Sequence, residues 1–151
     1  MANLLKFADS ESSYEESEFV IFGVPFDRTT SFRGGARFAP NSIREASINL
    51  ESFLIDPEFY FREVKIHDMG NLYESGNVSD MIDDVNSIFS EIVRDGKFPI
   101  MLGGEHSVTI GTLETLKRIG ASIVFIDAHS DFRDSYLNEK FSHACVARRA
   151  Y

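Results

Sequence analysis

Cysteine is almost missing from this chain. A single Cys145 among 151 residues excludes an internal disulfide and a cysteine-based zinc cluster. Basic residues are scarce beside acidic ones, 15 against 24, and the formal net charge is −9. Nucleic acids and anionic membrane surfaces are met by Lys/Arg-rich faces, so neither is expected as a partner. Long hydrophobic runs are lacking too. The longest, Phe98–Leu102 and Ile123–Ile126, fall far short of the roughly 20 residues that cross a bilayer. With no signal-peptide pattern at its start, the chain is expected in the cytoplasm. Tryptophan is absent while phenylalanine occurs fourteen times, a choice that affects packing and says nothing of function. Internal repeats and low-complexity segments are also absent.

What is present suffices for one compact domain: 43% of the residues are hydrophobic, and the length fits a single unit. Residues 1–17 are polar and acidic and read as a surface lead-in. Four short apolar runs, Phe19–Val24, Glu63–His67, Phe98–Leu102 and Ser122–Ile126, are bounded by turn signals and read as buried strands. Between them lie helical patterns. Asn41–Phe53 follows Pro40, a favoured first-turn residue. Asp80–Asp95 carries an apolar stripe at Met81, Ile82, Val85, Ile88, Phe89 and Ile92, with Ser79 as its expected cap and Gly96 as its end. Val108–Ile119 follows Ser107 and closes at Gly120, and a last helix begins near Ser142. Alternating strands and helices with continuously apolar strands imply a parallel sheet covered on both faces. In such sheets chemistry sits beyond the carboxyl ends of the strands.

Polar clusters stand at those ends. The third strand runs into Gly103-Gly104-Glu105-His106-Ser107. The glycines permit a sharp turn. A helix start disfavours an imidazolium, which leaves His106 neutral, as a metal ligand must be. The fourth run ends in Asp127-Ala128-His129-Ser130-Asp131. In an extended chain, alternate residues share a side, so Asp127, His129 and Asp131 are expected to converge. Two carboxylates and an imidazole packed together are costly without a cation. His106, Asp127 and Asp131 then form one expected metal site, and Asp127 with His129 a second. Such donors suit manganese, iron or zinc better than calcium or magnesium. Two cations sharing Asp127 could lower the pKa of a water held between them. Acidic strand ends also serve magnesium-dependent phosphoryl transfer. The histidines, and the lack of a glycine-rich phosphate loop before a lysine, weigh against that class. A non-catalytic, metal-binding remnant is the other alternative.

These motifs resemble those of the ureohydrolase (arginase/agmatinase) family. The resemblance rests on Gly103–Ser107 and Asp127–Asp131, and on Gly23-Val24-Pro25-Phe26-Asp27, Ser31, Arg33-Gly34-Gly35-Ala36-Arg37, Pro40, Ile43-Arg44-Glu45-Ala46-Ser47 and Asp68-Met69-Gly70, all in family order. It implies a three-layer α/β/α fold with a parallel sheet, and one partial domain over residues 1–151 corresponding to the amino-terminal half of the family domain. It implies two manganese ions held in part by His106, Asp127, His129 and Asp131, and His143 as a proton shuttle. The activity implied is hydrolysis of a small cationic guanidino compound, foremost agmatine to putrescine and urea. Arginase, guanidinobutyrase and formimidoylglutamase chemistry are the alternatives, and a homo-oligomer is implied. Arg148-Arg149 looks more like the agmatinase pattern. No residue is assigned to substrate binding. Arg33 and Arg37 are expected to hold a loop, His67 to be structural, and Cys145 to fill space. The family further uses an Asp-x-Asp pair and a later glutamate. No Asp-x-Asp occurs in these 151 residues, which leaves each metal with two or three protein ligands. In the family sheet, later strands separate the third from the fourth. The strand leading to Asp127 is therefore expected to lack both neighbours.

Overall fold

The structure is a computed structural model that describes residues 5–55 and 57–151. Strand β1, Phe19–Gly23, lies at the centre of a three-stranded parallel sheet between β4, Ile66–Asn71, and β5, Phe98–Leu102. The register pairs Phe19 with Ile66 on one side and with Phe98 on the other. Val20 to Gly23 are all buried, as a central parallel strand covered on both faces requires. Val20, Phe22, Val24 and Phe26 pack with Val78, Met81, Val85, Phe89 and Ile92 of helix α2, Val78–Arg94, and with Val108. The apolar stripe expected on α2 thus forms the core of this half of the molecule. Gly96, at φ 73°, ends the helix. Its cap is Asn77 rather than Ser79: the Asn77 side chain accepts the Asp80 N–H at 2.9 Å.

Helix α1, Ala39–Ser47, has proline in its first turn but stops six residues short of Phe53. The Ser47 hydroxyl donates to the Arg44 carbonyl at 2.7 Å and accepts the Ala8 N–H at 2.9 Å. Such local bonds compete with continued helix. Phe53 instead pairs with Tyr60 in a two-residue hairpin of β2, Phe53–Leu54, and β3, Phe59–Tyr60.

The second sheet strand is shifted towards the carboxyl end of its expected span and takes in Asp68-Met69-Gly70. A charged residue in a buried strand reads as a turn in sequence. Here the fully buried Arg44 neutralises Asp68, with Nε donating to Oδ2 at 2.7 Å and Nη2 to Oδ1 at 2.8 Å. Two further contacts tie Arg44 to the end of β4, through the Gly70 carbonyl at 3.0 Å and the Asn71 side chain.

Residues 5–17 are more than a surface lead-in. Ser10 and Ser17 are buried, and the Ser12 N–H donates to the Ile66 carbonyl at 3.1 Å. This segment thereby covers the outer edge of β4. His67 is structural: its Nδ1 donates to the Ser12 carbonyl at 2.8 Å. Residues 1–4 of the lead-in lie outside the described residues.

Ser122–Ile126 joins no ladder, so the expected fourth strand is not a strand here. Among the described residues β5 has β1 as its only neighbour, and nothing presents paired N–H and C=O groups to residues 122–126. Val124 is 82% exposed and Ile126 99%, the bare faces expected for a strand without neighbours. No helix among the described residues is long and apolar enough to cross a membrane.

Candidate metal centre

Loops that follow β1, β5 and the 122–126 segment meet beyond the carboxyl ends of the strands. Gly103 and Gly104 turn the chain out of β5. At Gly104 a Cβ would collide with the backbone of Phe26, so only glycine permits this approach. The Glu105 N–H donates to the Phe26 carbonyl at 2.8 Å and locks the two loops together. His106 then begins a 3-10 helix, His106–Thr112, ahead of α3, Leu113–Arg118. A single α-helix over Val108–Ile119 capped by Ser107 does not form. The Ser107 hydroxyl is spent on the Glu105 carboxylate at 2.6 Å. Gly111 packs against Val85, where a Cβ would come within 2.6 Å.

His106 Nδ1 lies 2.5 Å from Asp131 Oδ2 and 3.4 Å from Asp127 Oδ2. Donor atoms of these three residues lie within 4.8 Å of one another. The ring of Phe125 meets the His106 ring edge-on at 5.6 Å. The loop reaches this geometry by bending, not by staying extended. The Asp127 carboxylate accepts the N–H of His129 at 2.8 Å, a local turn typical of aspartate. Asp131 takes a left-handed φ of 42°, uncommon outside glycine and frequent at functional sites. The bend replaces strict alternation along 127–131. The His129 side chain is 81% exposed, with Nδ1 3.4 Å from Asp127 Oδ1. It lines the same cavity as His106 and Asp131 and touches Asp127, while its donor atoms fall outside the three-residue group. The Arg133 N–H to the Ala144 carbonyl at 3.2 Å and the Arg148 N–H to the Asp131 carbonyl at 3.3 Å fasten the loop to the last helical segment.

The Asp127 carboxyl is held below the usual carboxylate range, first by the His129 N–H and then by the neighbouring imidazoles of His106 and His129. Two carboxylates flanking a half-buried imidazole form a donor set of the kind that binds a first-row divalent metal. His106, Asp127 and Asp131 fit that role as they stand.

His143 enters the same cavity, of about 510 Å³, whose walls include Thr30, Ser31, Tyr136 and the three residues above. It opens a short 3-10 turn, His143–Cys145, capped by Ser142, before helix α4, Val146–Ala150. The Tyr136 ring lies edge-on to the His143 ring at 5.7 Å. Sequence reading passed over two residues at this site, Thr29 and Glu105. The Glu105 carboxylate is buried and accepts the Thr29 hydroxyl at 2.5 Å. The Thr29 oxygen accepts the His143 backbone N–H at 2.9 Å. A glutamate inside a Gly-Gly-x-His motif was a signal, but nothing in the sequence pointed to Thr29 as its partner.

Other residues marked in the sequence make their contacts outside the His106, Asp127 and Asp131 group. Asp27 Oδ2 accepts the Gly35 N–H at 2.6 Å, and Oδ1 faces Arg37 Nη2 at 2.7 Å in an ion pair whose angle is not that of a hydrogen bond. Burial alone would raise the Asp27 pKa. The Gly35 and Arg37 N–H groups and the Arg37 guanidinium outweigh it and hold the carboxyl low. Arg33 stacks on Phe32 at 5.2 Å. Cys145 is fully buried, and Arg149 pairs with Asp134 at 3.0 Å.

The model of the arginase family matches residues 17–151. The N(1)-aminopropylagmatine ureohydrolase of Thermococcus kodakarensis is 44% identical over 138 residues, covering 89% of this chain and 47% of the relative. The agmatinase of Pyrococcus horikoshii is 41% identical, covering 91% and 48%. The crystal structure of the agmatine ureohydrolase of Thermoplasma volcanium superposes with a TM-score of 0.93 at 48% identity, covering 97% of this chain and 50% of that one. The chain thus spans about half the length of the curated relatives it matches. It has the parallel α/β arginase fold, and it belongs to the arginase family.

Proposed function

We propose that this chain supplies the first metal-binding half of a manganese-dependent hydrolase of linear guanidino compounds, with agmatine as the foremost substrate and putrescine and urea as products. The observation that carries this reading is the meeting of His106, Asp127 and Asp131 donor atoms in the cavity that also holds His143. His106, Asp127 and Asp131 would hold one ion, and Asp127 with the exposed His129 would contribute to a second. The mixed imidazole and carboxylate set favours manganese over calcium. When bound, the metal pair activates water for attack at neutral pH. Net reaction adds water across the guanidinium carbon and breaks its bond to the alkyl nitrogen. His143 would deliver the proton that the departing amine needs. The net charge of −9 suits a cationic substrate. Assembly as a homo-oligomer in the cytoplasm belongs to the same reading.

Substrate identity is tested by urea release from the manganese-loaded full-length protein. Agmatine, N1-aminopropylagmatine, arginine and 4-guanidinobutyrate would be compared, with formamide release from formimidoylglutamate measured alongside. Turnover is expected with agmatine or its aminopropyl derivative. No product from any of the five overturns the hydrolase reading. A second reading, a non-catalytic metal-binding remnant, is favoured by the unpaired and exposed 122–126 segment. Saturable manganese binding without turnover would select it.

A further inference from the structure

The hydrogen bonds around Thr29 determine more than the position of His143. A threonine hydroxyl has one proton to donate and two lone pairs to accept with. The Thr29 Oγ1 proton is given to Glu105 Oε1 at 2.5 Å, and the Thr29 backbone N–H leans on the same carboxylate at 3.1 and 3.2 Å. Ser107 donates to Oε1 as well, at 2.6 Å, so Glu105 acts here purely as an acceptor. Thr29 Oγ1 is left with lone pairs for its other contacts. One receives the His143 backbone N–H at 2.9 Å. The other faces His143 Nδ1 at 3.2 Å. An acceptor facing a ring nitrogen is favourable only if that nitrogen carries the proton, because in a neutral imidazole one nitrogen donates and the other accepts.

We propose that Thr29, with its hydroxyl proton held by Glu105, is a positioning residue that fixes neutral His143 as the Nδ1–H tautomer and leaves Nε2 as its basic nitrogen. This deepens the proposed function and rests on His143 being the proton carrier, but the tautomer itself can be read without turnover. Ser142 Oγ is the competing neighbour, 3.3 Å from the same Nδ1. If Ser142 donated there, Nδ1 would be unprotonated and its lone pair would oppose that of Thr29. With Nδ1 protonated, both oxygens can accept. The nitrogen is therefore tied on one side of the ring, and Nε2 is the atom free to take up and return a proton.

The test is long-range 1H–15N spectroscopy of the 15N-histidine-labelled protein, metal-free and above the imidazole titration. The four histidines are assigned through His143→Gln, in which one ring spectrum disappears. The native protein is expected to show His143 with a protonated Nδ1 and an unprotonated Nε2. In Thr29→Val the ring nitrogens are expected to exchange these signatures, and Thr29→Ser is expected to restore the native pattern. Ser142→Ala should leave the pattern unchanged. Dispersed backbone amide spectra of the serine and alanine variants serve as the folding control. An Nε2–H tautomer in the native protein would overturn the proposal. So would a native pattern that survives in folded Thr29→Val, or one lost in Ser142→Ala alone. None of these readings depends on urea release, so failure here and failure of the hydrolase reading are separate results.

Discussion

Replacing Arg44 by methionine is expected to lower the free energy of unfolding by about 3–5 kcal/mol, the usual cost of stranding one charge of a buried pair. Both side chains of the Arg44–Asp68 pair are fully buried. Asp68 also accepts the Phe7 N–H at 2.7 Å and the Gly70 N–H at 2.8 Å. The pair therefore joins the amino-terminal segment, α1 and β4 at one point. Without Arg44, a buried carboxylate keeps two weak donors and loses its counter-charge. Urea denaturation would read the effect as a lower midpoint with an unchanged slope. The double variant Arg44→Met/Asp68→Leu is expected to recover much of the loss, because an apolar pair strands no charge. A midpoint for Arg44→Met within error of the native one would show that the pair contributes nothing.

The same pair sets a pH dependence. Burial alone would raise the Asp68 pKa, but the hydrogen bonds from Arg44, Phe7 and Gly70 and the Arg44 charge outweigh it and hold the carboxyl below the usual carboxylate range. A carboxyl depressed in the folded state contributes stability that is present above its unfolded pKa and lost as pH falls through the folded one. Stability is therefore expected to decline below about pH 4. Asp68→Asn should be less stable at neutral pH and should decline less steeply in acid.

Replacing His106 by alanine is expected to weaken manganese binding by at least about 100-fold. Loss of a direct ligand should exceed the 10–100-fold cost typical of outer-shell changes. Asp131→Asn removes one of the two charges beside the imidazole while keeping its shape, and should have a comparable effect. His129→Ala should cost less, since that side chain is exposed and touches only Asp127 of the three-residue group. Calorimetric titration of the four proteins gives the order directly. Calcium at the same concentration should compete poorly, because no carbonyl-rich oxygen cage is present in the His/Asp/Asp group. If His129→Ala proved the most damaging variant, the assignment of ligands would have to be redrawn around Asp127 and His129.

Much of the fold could be read from residue patterns because apolar periodicity reports burial directly. The stripe on α2 and the run Phe19–Val24 are examples. Reading failed where polar residues are buried with partners distant in sequence. Asp68 looked like a turn because its neutralising Arg44 lies 24 positions away. Ser107 looked like a helix cap because its bond to Glu105 is side chain to side chain. At the site, the motifs around His106 and Asp127 named the residues that meet. Simple alternation also placed His129 among them, and it does line the same cavity, but outside the close donor group because the loop is bent rather than extended. The turn made by the Asp127 carboxylate on the His129 N–H and the left-handed Asp131 are backbone events that spacing alone does not reveal. Thr29 escaped notice for a similar reason: its role exists only because Gly104 lets the β5 loop press against Phe26.

Central to this account is that imidazole 106 and carboxylates 127 and 131 share one cation. Anomalous scattering at the manganese edge, from crystals grown with and without the ion, addresses that most directly. The expected result is a peak bonded to a ring nitrogen of His106 and to oxygens of Asp127 and Asp131, at the roughly 2.0–2.2 Å usual for a small divalent ion. A peak coordinated elsewhere on the molecule, with these three side chains still paired only to one another, would contradict it.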